Sequence, residues 1–419
     1  MKRVKRLTAL IAVAFSTLSA GTAMAATDGE IQTAIDNGLG YLSGTQTMGG
    51  YWNYGGYEQA ATGSAAYAMM TQQGHWGDLA AGNVAAYKAQ VDNAIAYLLS
   101  TATTTTVSTR NDGANICPGG GSCTGVYWYG AGETTYTTGL IAPAIAEYAT
   151  RFGGGAGAVA TTTGPLAGMT WGQIAQGITN TFSAGQSSAI NGNRDGGWRY
   201  FPGTGDSDSS TTQWAVISLI YNQTLGATTP QTVKDHLAVW LANAQAADGS
   251  ACYQPGVGPC DQADTGGLLV ALNFLGKGSS DPAVQKALNY LNNHWQEGQL
   301  GWNGNFGQPY AMWAEYKGLE LTVGLGNNTA ITNLLPGNCG NDRGADCNWW
   351  QDYNQWLVAN QAGDGSFPGY YYWGNPLATS LVLPILSGTE IPQQTPEPGS
   401  LALLLAALAG SAAFARRRA

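Results

Sequence analysis

Asp206 and Asp208 stand two residues apart in RDGGWRYFPGTGDSDSSTTQW, between Arg194, Asp195, Trp198, Arg199 and Tyr200 on one side and a Ser/Thr run on the other. Three kinds of chemistry start from such a group. A carboxylic acid kept protonated by burial or by a neighbouring charge can protonate an alkene. Two carboxyl groups can hydrolyse a glycosidic bond, at ~5 Å for retention or ~6.5–9.5 Å for inversion. A base such as Tyr136 or His294 with a neutralising Arg194 or Arg199 would suit elimination from a polysaccharide. Asp206 and Asp208 are the candidate catalytic pair, and Asp195, Glu133, Asp264 and Glu58 are the other acids that fit a hydrolase. Binding alone is a fourth possibility, because sugars stack on aromatic rings and hydrogen-bond to carboxylates and hydroxyls. The ligand-binding set is Glu58, Glu133, Asp195, Arg194, Trp198, Arg199, Tyr200, Asp264, Trp302 and Trp373.

These residues need elements to hold them, and the chain repeats itself. GLGYLSGTQTMGGYW, WLANAQAADGSACY, ALNYLNNHWQEGQLGW and WLVANQAGDGSFPGYYYW share one plan, with two looser copies around Leu98 and Phe182. An amphipathic helix ends near a Gln, a Gly-rich turn follows, then an aromatic residue, then a second helix rich in Ala, Leu and Thr. Equivalent positions Leu42, Leu98, Phe182, Leu241, Leu291 and Leu357 lie 50 to 84 residues apart, room for two helices each. Asp248-Gly249 and Asp364-Gly365 are turn dipeptides that end the first helix. The predicted fold is all-α, an (α/α)6 toroid of six helical hairpin repeats over residues 26–387. The second helices begin with recurring polar residues, Glu58, Thr134, Asp208, Asp261 and Asn375, each four residues before a Thr. N-capping explains such positions, and so does a polar ring around one mouth of a cavity.

The Gln-Ala-Ala-Asp-Gly-Ser of 245–250 and Gln-Ala-Gly-Asp-Gly-Ser-Phe of 361–367 resemble the QW-type repeats of squalene-hopene cyclases and prenyltransferase β subunits. That resemblance spans roughly residues 30 to 387 and implies the toroid, with turns that tie the outer helices together. It carries little about chemistry. The DxDD acid motif of the protonating cyclases is incomplete here, since Ser209 holds its fourth position. The prenyltransferases' Asp/Cys/His zinc site is not expected either: the three histidines, His75, His236 and His294, read as surface or packing residues. No metal and no cofactor is expected. The oxygen-rich loops NGNRDGGW and CGNDRGADC lack EF-hand spacing and suit at most an occasional calcium ion.

The termini place this body outside the cytoplasm. Lys2, Arg3, Lys5 and Arg6 precede an apolar run and an Ala-Met-Ala site, so residues 1–25 read as a secretory signal peptide. Residues 388–398 form a linker holding Pro396-Glu397-Pro398, and residues 399–419 an apolar helix ending in Arg416, Arg417 and Arg418. This tail resembles the PEP-CTERM sorting signal of exopolysaccharide-producing bacteria. The resemblance implies an exosortase-type membrane protease as partner, transient inner-membrane association through the C-terminal helix, and delivery to the cell surface or beyond. A plain C-terminal membrane anchor is the alternative. Six cysteines in three close pairs, Cys117/Cys123, Cys252/Cys260 and Cys339/Cys347, fit local disulfides in an oxidising compartment. Without the two end signals, ten basic residues face 25 acids, a net charge of −15 that repels nucleic acid.

The expectation is therefore an exported, surface-sorted repeat protein that binds an extracellular polysaccharide or other matrix ligand in an aromatic cavity. A polysaccharide hydrolase or lyase on the same fold is the alternative, then a terpene cyclase using Asp206 and Asp208, then an inert matrix protein with a filled centre. Whether the chain is an enzyme stays open at this stage.

Overall fold

A computed structural model describes residues 25–77, 84–188, 194–299, 304–336, 347–371 and 373–393. The described residues form twelve α-helices in six consecutive pairs. These are α1 (Asp28–Thr45) and α2 (Glu58–Thr71), α3 (Val84–Thr101) and α4 (Thr134–Arg151), α5 (Trp171–Gly185) and α6 (Ser209–Gln223). The remaining pairs are α7 (Gln231–Ala244) and α8 (Gln262–Phe274), α9 (Pro282–His294) and α10 (Pro309–Val323), α11 (Trp349–Asn360) and α12 (Asn375–Leu386). Helix accounts for 52% of the described residues and strand for two small hairpins, an all-α class.

The two helices of a pair differ in how they are buried. In α7 a single stripe of Val233, Leu237, Trp240, Leu241 and Ala244 is buried and the rest faces water. In α6, α8 and α10 nearly every residue is buried, on all sides of the helix. The second helices are therefore interior and the first helices peripheral, except that α5 has eleven of its fifteen residues buried. Interior helices approach closely because their contact positions are small: a Cβ on Gly266 would stand 2.5 Å from the α10 backbone at Ala314 and Glu315. Each interior helix packs on the next, α2 on α4, then α6, α8, α10 and α12, and α12 packs back on α2. The Ser64 and Ser380 hydroxyls meet at 2.6 Å across that last contact.

One corner recurs between the helices of a pair. The amide of the Gln that ends the peripheral helix donates to a carbonyl of its own turn and to one of a second peripheral helix. Gln46 reaches Gln90 of α3 (2.9 Å), Gln186 reaches Val233 of α7 (2.9 Å), Gln245 reaches Ala283 of α9 (2.9 Å) and Gln361 reaches Ala34 of α1 (2.8 Å). After the turn, a buried backbone N–H donates to a threonine of the following interior helix. Trp52 gives to Thr62 (3.2 Å), Trp128 to Thr138 (3.1 Å), Trp198 to Thr212 (3.1 Å), Ala251 to Thr265 (2.9 Å) and Phe367 to Thr379 (3.0 Å). These are the threonines four residues after the recurring polar positions.

Capping accounts for only part of that polar series. Asp208 and Asp261 are true N-caps, accepting from the backbone of Thr211 (2.7 Å) and Asp264 (2.8 Å). Glu58, Thr134 and Asn375 lie one residue inside their helices, after Tyr57, Glu133 and Gly374, which make no side-chain cap bond.

Two hairpins depart from the purely helical expectation. β1 (Thr103–Val107) pairs antiparallel with β2 (Cys123–Tyr127), and β3 (Ala251–Gln254) with β4 (Val257–Asp261). Their Gly- and Pro-rich sequences read as turns, and the disulfides that close them were foreseen without the strands. Cys117 is bonded to Cys123, and Cys252 to Cys260, its cross-strand partner. Cys347 is also oxidised, and Cys339, its expected partner, lies outside the described residues.

Gly249 tests the corner. It has φ +99°, and a Cβ there would stand 2.1 Å from the Lys286 carbonyl of α9. Gly256, at φ +69° in the β3–β4 turn, has open space around it. Gly249→Ala is expected to cost well over ~1 kcal/mol, and Gly256→Ala only the backbone penalty of about 1 kcal/mol, read by denaturant titration of the two variants.

Candidate functional site

The interior helices all begin at one end, and a cavity of about 400 Å³ lies among their first turns. Its wall takes Ala60 from α2, Tyr136 and Leu140 from α4, Ser210 from α6, Ala263 and Asp264 from α8, Tyr310 from α10 and Leu377 from α12. Turns and the second hairpin complete it with Tyr54, Tyr57, Glu133, Tyr200, Tyr253, Pro259, Asp261 and Trp373. Farther along the interior, side chains from non-adjacent helices close the space. Tyr67 of α2 and Tyr221 of α6 meet hydroxyl to hydroxyl at 2.5 Å, and Trp313 of α10 packs edge-on to Tyr67. The opening is thus confined to the helix starts.

Rings dominate the wall. Trp373 stacks on Tyr310 (centroids 4.7 Å apart) and, away from the cavity, on Trp214 (6.0 Å, planes 15° apart). Tyr136 stacks on Tyr200 at 6.0 Å. Tyr136 donates to Ser210 (2.9 Å) and Ser210 to Asp208 (2.6 Å), which links a cavity phenol to a buried carboxyl.

The acids fall into two groups. Asp206 and Asp208 are engaged by cations. Asp208 is fully buried and accepts from Arg199 (2.5 Å), Ser210 (2.6 Å), Thr211 N (2.7 Å) and Thr211 Oγ1 (3.0 Å). Burial pushes its pKa up against the pull of those donors. Arg199 also pairs with Asp206 at 3.4 Å, donates to the Tyr253 hydroxyl at 2.8 Å and lies over the Tyr200 and Tyr253 rings. Asp206 pairs with Arg194 at 2.7 Å. Its partial burial works upward, but Arg194, the Ser207 backbone and Arg199 outweigh it and hold the carboxyl below the ordinary range.

Glu133, Asp261 and Asp264 line the cavity itself. Burial raises the pKa of Glu133, opposed by a hydrogen bond from Tyr57. Burial pushes Asp261 up to about 7. Asp264 is driven well above the carboxylate range by burial and by the neighbouring Asp261 and Asp208. Among the described residues no donor reaches the Asp264 carboxyl, which is 3% exposed. It is an acid kept neutral in an aromatic wall, able to donate a hydrogen bond or a proton.

Of the residues singled out in the sequence, Glu133, Tyr200, Asp264 and Trp373 line the cavity, with Asp208 and Arg199 directly behind it. Asp206 and four of the ligand-binding set do not line it. Trp198 is core, its indole donating to the Phe182 carbonyl at 2.8 Å. Asp195 meets the His236 Nδ1 at 2.5 Å and pairs with Arg110 at 3.6 Å. Glu58 accepts from the Gly56 backbone at 3.0 Å, and Arg194 serves Asp206. Trp302 lies outside the described residues. Asp261, read from the sequence as part of a polar ring but not placed in the ligand-binding set, lines the wall, and Tyr310 was missed. Tyr310 stands at the start of an interior helix, and carrying the repeat alignment through to cavity position would have found it.

Residues 394–419 match the PEP-CTERM protein-sorting motif. The chain therefore carries a signal for export and surface sorting, processed by an exosortase-type membrane protease. Pro396, Glu397, Pro398 and Arg416, Arg417 and Arg418 belong to that motif and lie outside the described residues. No helix among the described residues is long and apolar enough to cross a membrane. The chain matches no curated protein.

The two groups of acids should respond oppositely to neutral replacement. Asp264 has a raised pKa, so its contribution to stability is present below the unfolded value near pH 4 and is lost as pH rises through the folded value. At pH 8, Asp264→Asn is expected to leave the melting temperature unchanged or raise it. Asp208→Asn weakens the N-cap that accepts from Ser210, Thr211 and the part-exposed Arg199, and is expected to cost about 1–2 kcal/mol. Differential scanning fluorimetry at pH 5 and pH 8 checks both signs.

Proposed function

We propose that this chain is an exported surface protein whose six helical hairpins form an α/α toroid, the sorting motif ending its C-terminus, and that the toroid binds a saccharide in its aromatic cavity. The return of α12 onto α2 and the Gln361 bond to α1 support a closed ring. The observation that carries the binding reading is the wall: seven rings, Tyr54, Tyr57, Tyr136, Tyr200, Tyr253, Tyr310 and Trp373, interleaved with Glu133, Asp261 and Asp264 in one open cavity. Rings offer faces to sugar C–H groups, and carboxyls and phenols bond to hydroxyls. A volume of about 400 Å³ suits a small ligand or the end of a longer one.

Hydrolysis is the second reading, favoured by the convergence of Glu133 and Asp264 on the same space. Asp264, kept neutral, is suited to protonate a leaving oxygen, and Glu133 to act as the base or nucleophile. Alkene protonation by Asp206 or Asp208 has less support. Neither lines the cavity, and Asp206 is held ionised by two arginines. Elimination has Tyr136 in the wall, but Arg194 and Arg199 are committed to Asp206 and Asp208.

The test is titration of the full chain with a panel of oligosaccharides, read by tryptophan fluorescence. Trp373 lies in the wall, and Trp373→Ala is expected to weaken binding at least ~10-fold, about 1.4 kcal/mol. A panel with no binder would overturn the reading. Reducing-end assays on any binder test hydrolysis, for which Asp264→Asn should abolish turnover and leave binding measurable.

A further inference from the structure

The charges that face the cavity are of one sign. Glu133, Asp261 and Asp264 contribute carboxyls, and among the described residues no Lys, Arg or His lines it. The cations nearby are spoken for or screened. Arg199 lies behind Tyr200 and Tyr253, tied to Asp208 and Asp206. Lys317 sits behind Trp214, 4.4 Å from its ring centroid, and burial pushes its pKa down to about 7.

A neutral sugar needs donors and acceptors in balance, and a uronic acid needs a cation. This wall offers phenols, carboxyls and π faces. An ammonium group is the complement of that set: it brings three N–H donors and no acceptor. It also gains from aromatic faces, and gains more as water is excluded. Asp264 adds an independent sign of a missing partner, being a buried carboxyl with no donor among the described residues.

We propose that the cavity recognises a protonated amine, so that its saccharide is an amino sugar with a free amino group, ion-paired to Asp264 and packed against the stacked rings of Trp373 and Tyr310. The inference rests on the saccharide reading above and names its chemistry. Proton balance follows from the empty state. Burial keeps Asp264 neutral. When R–NH3+ enters, the carboxyl ionises against it and one proton leaves to solvent. Asp208 is already matched by Arg199. Glu133 and Asp261 face the same space and share the effect.

The experiment uses the full chain and two probes of equal length, a glucosamine tetramer and its N-acetylated counterpart, at a pH where the free amines are protonated. Calorimetry is expected to give at least ~10-fold tighter binding of the glucosamine tetramer. Repetition in buffers of different ionisation enthalpy should show about one proton released. Asp264→Asn should remove most of the preference, and Glu133→Gln, a second variant, should reduce it without unfolding the chain. Equal or tighter binding of the N-acetylated tetramer would overturn this inference and leave the saccharide reading standing. If tetramethylammonium binds and neither tetramer does, the cation preference survives and the saccharide reading falls. If none of the three binds, both fall.

Discussion

A buried backbone N–H must find an acceptor, and the chain meets this demand at each aromatic turn with one threonine. The residue that plugs the turn, Trp52, Trp128, Trp198, Ala251 or Phe367, gives its N–H to a hydroxyl one turn into the next interior helix. Several of these hydroxyls also bond back to their own helix, Thr62 to the Glu58 carbonyl and Thr212 to the Asp208 carbonyl, both at 2.6 Å. The bond fixes where each turn sits relative to the helix start it precedes. An unsatisfied group there would cost about 1–3 kcal/mol. The cavity wall consists of those helix starts and turns, so its geometry inherits this constraint at five positions.

The buried acids draw on the stability that such corners supply. Burying a carboxyl without a donor is unfavourable, and Asp264 has none among the described residues. Asp208, by contrast, is buried with four donors around it and serves as a cap. The difference separates a residue that caps a helix from one that faces the cavity without a protein donor. On the binding reading proposed above, a ligand would supply that donor.

The repeat was legible because its signals are local. The Gln, the Gly-rich turn, the aromatic and the Thr recur at readable spacing, and each makes a bond visible in the corner. The site was legible in part. Glu133, Tyr200, Asp264 and Trp373 line the cavity, but Trp198 was taken for a binding residue because an aromatic turn looks the same whether it faces the core or the cavity. Asp206 drew attention by its neighbourhood, and that neighbourhood, Arg194 and Arg199, is what keeps it ionised and away from the wall. Facing depends on contacts between units far apart in sequence, such as Arg199 with Tyr253, and a single chain read end to end does not display them. The hairpin β3–β4 escaped for a related reason. Its Gly and Pro residues read as a loop, yet the cross-strand pairing of Cys252 and Cys260 is what carries Tyr253 and Pro259 into the wall.

The shared direction of the interior helices decides the electrostatics of the cavity. With the helix starts at one end, the positive ends of their dipoles converge there, and each favours a nearby carboxylate. Burial works the other way, penalising charge in an aromatic wall. Asp208 resolves the conflict through Arg199, and Asp206 through proximity to Arg194 and solvent. For Asp261 and Asp264 no cation is in place, and two acids in one turn of α8 repel each other as they ionise. Burial therefore holds both above the ordinary carboxylate range, and a cation entering the cavity would favour their ionised forms. A filled, apolar centre would have needed none of these acids. Their cost at the one end left open is an argument that the opening is used.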